Sequence, residues 1–368
     1  MIYRDKKILL TTTMTHAGGY DSFKFQVENC LNLFGSVNVL FTTLGCKTYL
    51  NLPGVTEFNY RLLNLSKSFF LPLHTRKMRN IISNTINQTN PDIIITYSTI
   101  MNYCVTDAAR EFGIPVLSFI IGNNHYRAKT VATHYIQKGV KNSWGIAFVS
   151  EPLMNDFLKY HNTSHKRTFI VHEAIDINYF YPRTESKDKK EFTVLTAGRL
   201  EKGKRFDIAI EAFSRILSQV PNSKLLIAGK GTMEQYLKDI SSKLGIIDKV
   251  EFIGWRDDLP MIFRQVDVFI QTCRYEGFGR LVAQSLASGI PVVNSSRGGP
   301  EEILANGIGG YIVESNPEQI AEKVIVLLKN RELRKKMGIN GRKRVVENYS
   351  IPVYRKKMED IFKIVLIS

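Results

Sequence analysis

Short apolar runs alternate with stretches of helical period along the whole chain. In the first half, residues 7–12, 37–42, 92–96, 115–120 and 145–149 read as buried strands, and 23–34, 77–88 and 101–112 as amphipathic helices between them. In the second half the strand signals fall at 193–196, 224–228, 250–253, 266–271 and 291–294, and the helical ones at 207–219, 235–244, 279–288 and 317–329. Strands that alternate with helices predict βαβ units and parallel sheets. Two such series predict an α/β protein of two doubly wound, Rossmann-like domains.

The boundary is visible in the same pattern. Residues 182–191, Pro-Arg-Thr-Glu-Ser-Lys-Asp-Lys-Lys-Glu, hold no large apolar side chain, and a strand signal resumes at Phe192. This predicts a first domain over 1–181, a solvated linker over 182–191 and a second domain over 192–350. Beyond it, Tyr354, Met358, Ile361 and Val365 share one helical face, so 351–368 is expected to form a closing helix and is a candidate to pack on the first domain. Ligands of open α/β sheets bind beyond the carboxyl ends of the strands, so two such sheets place the expected active site in a cleft between them.

Composition changes this picture little. The chain has 368 residues, enough for about two domains, and its apolar fraction of 44% supports a core in each. The net charge of +16 divides into +7 over 1–182 (18 Lys+Arg, 11 Asp+Glu) and +9 over the rest (32 and 23), so there is no basic tail. A diffuse positive field suits nucleoside diphosphates, anionic lipid or nucleic acid, and does not choose among them. Cys30, Cys46, Cys104 and Cys273 are far apart and form no Cys-x-x-Cys pair. Neither a disulfide framework nor a structural zinc is expected, and a reducing compartment fits. The apolar run at 8–10 is too short for a signal-peptide core, and no stretch approaches 18 apolar residues. The expected location is therefore the cytoplasm.

The chemistry gathers just after predicted strands. Tyr-Glu-Gly-Phe-Gly-Arg at 275–280 follows a strand and opens a helix near Gly279. Glu276 could hold a sugar hydroxyl there, or simply cap the helix. Gly277 and Gly279 allow close backbone approach, and free N–H groups at the helix start suit a phosphate. Gly-Arg-Leu-Glu-Lys-Gly-Lys at 198–204 also joins a strand to a helix, and Arg199 and Lys204 make a reasonable diphosphate clamp. Lys202 and Arg205 read as surface charges. No Asp-x-Asp occurs, which removes one metal–diphosphate motif and points to Arg199, Lys204 and backbone amides in place of an ion. His161 and His165 are four apart, but Asn-Thr-Ser between them reads as a loop rather than a metal site. The run 69–79 sets apolar residues beside a basic cluster; it is a candidate for contact with an anionic membrane surface, and reads more readily as a loop leading into a surface helix.

Taken together, residues 174–182, 198–213, 227–232, 250–254, 283–293 and 298–303 closely resemble the retaining GT-B glycosyltransferases of family 4, the glycosyl transferases group 1. The first half resembles them more weakly, through Gly18-Gly19, Pro91-Asp92 and Gly-Ile-Pro at 113–115. The resemblance implies transfer of a sugar from a nucleoside-diphosphate-sugar to a glycan, lipid-linked or other acceptor, with retention at the anomeric carbon and without a cofactor or metal. Nucleic acid is not an expected partner. It implies that Arg199 and Lys204 bind the diphosphate and that Glu276, the first residue of a Glu-x7-Glu motif, holds donor-sugar hydroxyls. Gly18 and Gly19 would face the diphosphate, while Gly229, Gly231 and Ile253 would line the nucleotide pocket beside Gly277, Phe278 and Gly279. Two departures stand out. Gln284 occupies the place of the second Glu, offering the ribose a neutral acceptor. The family's acceptor-side His is absent from its usual place, with His125, four residues on, as the candidate in its stead. Two rival readings remain: a sugar-nucleotide epimerase of the same architecture, and a nucleotide-sugar-binding subunit without catalysis.

Overall fold

The computed structural model describes residues 2–14, 20–43, 50, 52–61, 72–97, 102–122, 131–161, 163, 166–183, 191–305 and 307–367. The chain divides into two units, Met1–Val171 with Arg355–Ser368, and His172–Tyr354. In the first, the elements run β1 (Ile8–Met14), α1 (Tyr20–Phe34), β2 (Val37–Thr43), β3 (Val55–Arg61), α2 (Pro72–Thr89), β4 (Ile93–Thr96), α3 (Asn102–Glu111), β5 (Val116–Ile120), α4 (Val131–Asn142), β6 (Gly145–Phe148), α5 (Glu151–Leu158) and β7 (Arg167–Ile170). Its seven strands form one sheet in the order β3-β2-β1-β4-β5-β6-β7, and every pair is parallel. The central strands β4 and β5 are buried at every position because helices cover both faces.

The second unit runs β8 (Phe192–Ala197), α6 (Phe206–Gln219), β9 (Ser223–Ala228), α7 (Glu234–Lys243), β10 (Val250–Gly254), α8 (Leu259–Phe263), β11 (Val268–Gln271), β12 (Tyr275–Glu276), α9 (Arg280–Ala287), β13 (Val292–Asn294), β14 (Arg297–Gly298), α10 (Gly299–Leu304), β15 (Gly310–Ile312), α11 (Pro317–Lys329) and α12 (Arg331–Tyr349), before α13 (Ile351–Ile367). Its main sheet is parallel, in the order β10-β9-β8-β11-β13-β15, with β12 and β14 forming a separate two-stranded ribbon. The strand order reverses between β8 and β11. Such a switch point leaves a crevice at the carboxyl ends of the strands. Below it, α6 buries Ala209, Ala212, Phe213 and Ile216 at helical spacing, and α11 adds Ile320, Val324 and Leu327 to the same core. Asn316 starts α11 by accepting hydrogen bonds from the Glu318 and Gln319 amides.

The division between units falls at Val171/His172, earlier than the linker expected at 182–191. Residues 172–183 are tied to the second unit. The Ile175 N–H bonds the Tyr349 carbonyl at 2.8 Å, Arg342 donates to the carbonyls of Ile177 (3.3 Å) and Phe180 (3.0 Å), and Arg183 pairs with Asp267 at 3.1 Å. Residues 184–190 lie outside the described ones. The last helix buries Tyr354, Met358, Ile361 and Val365, the face that the spacing predicts. From Arg355 onward it belongs to the first unit, where Phe362 packs edge-on to Phe34 at 5.0 Å and Arg355 donates to Asn29 at 2.8 Å.

α12 has no counterpart in the apolar pattern. Its buried face joins Gly338 and Gly341 to Val345 and Tyr349, so glycine occupies two of its four buried positions. A Cβ added to Gly338 would lie 2.1 Å from the Gly289 carbonyl oxygen, and one on Gly341 would lie 2.7 Å from Leu286 Cδ2. Helix propensity favours Ala over Gly by about 1 kcal/mol. Gly338→Ala is nonetheless expected to destabilise the fold by about 1–3 kcal/mol, because the helix must lift off its neighbour. Urea unfolding checks this; an unchanged or higher midpoint would show that the contact yields.

Candidate functional site

Beyond β8 the backbone turns through Gly198, Arg199 and Leu200 into a single 3-10 turn, Lys202–Lys204, and then α6. Leu200 is fully buried and anchors the turn, which leaves Arg199 exposed. The loop after β9 lies against it: Gly198 N–H bonds Ala228 O at 2.9 Å, and Leu200 N–H bonds Lys230 O at 3.0 Å. This approach needs glycine. A Cβ on Gly229 would sit 1.8 Å from Gly198 O, and one on Gly231 would sit 2.4 Å from Leu200 O. Gly229 and Gly231 therefore have a structural duty at the carboxyl end of the sheet. Ile253 is half-buried in β10 at the same end.

The loop after β11 crosses the switch point to meet this turn. Thr272 Oγ1 donates to the Lys204 carbonyl at 3.1 Å, and Arg274 N–H bonds Gly203 O at 3.2 Å. Next comes Glu276 in β12, in register with Gly298 of β14. Gly298 has a φ of 102°, and a Cβ there would lie 2.4 Å from Glu276 O, so the Gly-Gly-Pro run at 298–300 fixes the backbone that carries Glu276. Phe278 is buried against Tyr349, with ring centroids 5.6 Å apart, and anchors the far side of the turn.

The outcome is a contact across the switch point: Lys204 Nζ donates to Glu276 Oε2 at 2.6 Å. Burial, the largest influence, lowers the Lys204 pKa, but the charge and hydrogen bond of Glu276 together with Cys273 outweigh it and hold the ammonium above its ordinary value. Arg199 opposes this rise, so its charge is close enough to be felt at Lys204. A partly exposed ion pair contributes roughly 1 kcal/mol or less to stability. The pair is thus a weak reason for the fold and a well-formed site for a polar ligand. Gly279 is the N-cap of α9, no side chain caps that helix, and its first-turn N–H groups lie directly after Glu276 in the chain. Gln284, one turn further on, is buried at 8% exposure.

Three side chains behind Glu276 escaped the sequence reading. Cys273, 2% exposed, donates to Glu276 Oε2 at 3.6 Å, lies 2.9 Å from Ser296 Oγ, and accepts from Gln271 Nε2 at 3.1 Å. Burial, and then the Glu276 charge, push its thiol pKa up, so at neutral pH it is an S–H donor and not a thiolate. Only adjacency to Glu276 could have flagged it. Gly18, Gly19 and His125 lie outside the described residues. His161 is buried against Phe157, with ring centroids 4.5 Å apart, and Arg79 of α2 pairs with Asp107 and Glu111. Among the described residues no group of three or more His, Cys, Asp or Glu is placed to hold a metal, and no helix is long and apolar enough to cross a membrane.

Two Rossmann-like units, each with a parallel sheet whose order reverses at a switch point, define the GT-B fold. Solved structures share it at low identity. A glycosyltransferase of Rickettsia africae has a TM-score of 0.78 at 19% identity, over 98% of this chain and 99% of that one. An Anabaena protein bound to UDP-glucose has a TM-score of 0.80 at 16% identity, over 97% and 99%. Residues 180–344 match the family described as Glycosyl transferases group 1. An uncharacterized glycosyltransferase of Methanocaldococcus jannaschii is 32% identical over 59% of each chain, and the N-acetyl-alpha-D-glucosaminyl L-malate synthase of Bacillus anthracis is 27% identical over 63% of this chain and 62% of that protein. The matched stretch thus spans about three-fifths of these relatives' length. The family match is confined to residues 180–344, a little under half of the chain.

Proposed function

We propose that this protein transfers a sugar from a nucleoside-diphosphate-sugar to an acceptor, with retention at the anomeric carbon. The observation that carries the reading is the Lys204–Glu276 contact at the switch point, beside Arg199 and the uncapped start of α9. The donor diphosphate enters beside Lys204 and Arg199, whose charges and the α9 amides balance the charge that grows on the leaving group. Glu276, released from Lys204 by that exchange, accepts hydrogen bonds from donor-sugar hydroxyls. The acceptor hydroxyl oxygen then bonds the anomeric carbon on the face from which the diphosphate departs. As the bond from that carbon to the diphosphate oxygen breaks, this oxygen takes the acceptor's proton. No enzyme carboxylate is needed as a nucleophile. The Anabaena structure with UDP-glucose and the family's glycosyltransferases support a nucleotide-sugar donor. The net charge of +16 favours an anionic donor and is compatible with an acceptor presented at an anionic membrane surface of the cytoplasmic face.

A donor panel tests this by thermal shift, since a donor at 100 times its dissociation constant stabilises by about 2.7 kcal/mol. The donor that shifts the melting temperature should then release nucleoside diphosphate in the presence of a chelator. Turnover lost to the chelator and restored by magnesium or manganese would show that a metal, not Arg199 and Lys204, carries the diphosphate.

Gln284 bears on donor affinity. A carboxylate accepts a hydrogen bond more strongly than an amide by about 1 kcal/mol, so Gln284→Glu is expected to tighten donor binding about five-fold in calorimetric titration. Unchanged affinity would place Gln284 out of reach of the ribose, and weaker binding would mean that its amide donates.

A further inference from the structure

A cavity of about 770 Å³ lies at the opposite end of the second unit's sheet. Phe192, Asp267 and Pro291, at or just before the starts of β8, β11 and β13, form one wall. The other is a single face of α12, from Arg331 through Lys335, Gly338, Ile339 and Arg342 to Val346. Its charge is one-sided. Among the described residues, seven of the twenty that line it are Lys or Arg and two, Asp267 and Glu347, are acidic, against 50 and 34 over the whole chain. Asp267 is buried and already pairs with Arg183 at 3.1 Å. Arg334 donates to the Leu327 and Leu328 carbonyls at 2.7 and 2.9 Å, which end α11, and its guanidinium lies over the Phe192 ring at 5.4 Å. Burial lowers the Arg334 pKa; Asp267 opposes this, while Arg183 and Arg331 lower it further. Several cations are therefore held together around one buried carboxylate.

We infer that this cavity is a second ligand site, for a small soluble phosphorylated molecule. Its volume lies in the range of small-molecule pockets. Ile290 and Pro291 offer a buried apolar floor to an organic body, and the exposed Lys329, Arg331 and Lys335 take its phosphates, since Arg183, Arg334 and Arg342 are held by Asp267 and by backbone carbonyls. The site is separate from the Lys204–Glu276 contact, so it stands whether or not the proposed reaction is right.

The probe is inorganic tripolyphosphate, titrated calorimetrically into the full chain carrying Arg199→Ala and Lys204→Ala, so that the first site is silent. Saturable binding is expected. Adding Arg331→Ala and Lys335→Ala, both exposed positions, should weaken it at least ten-fold with the melting temperature unchanged. Removing two charges elsewhere on the same unit, Arg215→Ala and Lys243→Ala, should change it less than two-fold. Equal weakening by both pairs would reduce the effect to net charge and overturn the inference. So would an absence of saturable binding, including binding to phosphatidylglycerol vesicles alone.

Discussion

Lys204→Ala is expected to lower kcat/KM by about 10²–10³-fold, the loss that follows removal of one preorganised group facing transition-state charge. The melting temperature should move by about 2 °C or less, because a partly exposed pair stabilises little. The structure sharpens this expectation. Lys204 is the residue whose ammonium contacts Glu276 across the switch point at 2.6 Å. Its backbone carbonyl is held independently by Thr272 at 3.1 Å, so truncating the side chain leaves the turn in place. Arg199→Ala should act in the same direction, and its exposed side chain should cost even less stability. Initial rates and melting curves on the same preparations decide the point. Loss of fold together with activity would make both residues structural.

Glu276→Gln is the second large effect. The amide oxygen can still accept from Lys204 Nζ and from the Cys273 thiol, so the local network survives while the carboxylate charge disappears. A fall of about 10²-fold in kcat is expected with an unchanged melting temperature. Joint action of the contacting pair predicts that the double variant loses little more than the worse single one. Fully multiplicative losses would show that the two residues act separately.

The difference between what the chain's pattern shows and what it hides has a physical origin. Central strands such as β4, β5 and β11 are buried on both faces, so they appear as apolar runs. β3 and β7 lie at the edges of the first sheet and are partly exposed; sequences such as Arg-Thr-Phe-Ile carry no such run and gave no signal. α12 escaped because it packs through glycine, and the ribbon of β12 and β14 because two-residue strands have no period. At the proposed site, Arg199, Lys204 and Glu276 are singled out in the sequence by their place after strands. That Lys204 and Glu276 touch was not, since 72 residues separate them and only the strand order brings them together. The buried Cys273 behind Glu276 had no pattern to announce it.

The reaction proposed for the Lys204–Glu276 site is sugar transfer with retention. The most direct measurement is proton NMR of an α-linked nucleotide-sugar, identified by the donor panel, incubated with the full chain and followed at early times. Release of nucleoside diphosphate with a first-formed sugar product in the α configuration is expected, and loss of that release in Lys204→Ala. A donor that returns with an epimerised sugar, or one that binds and stays intact through long incubation with a panel of acceptors, would contradict it.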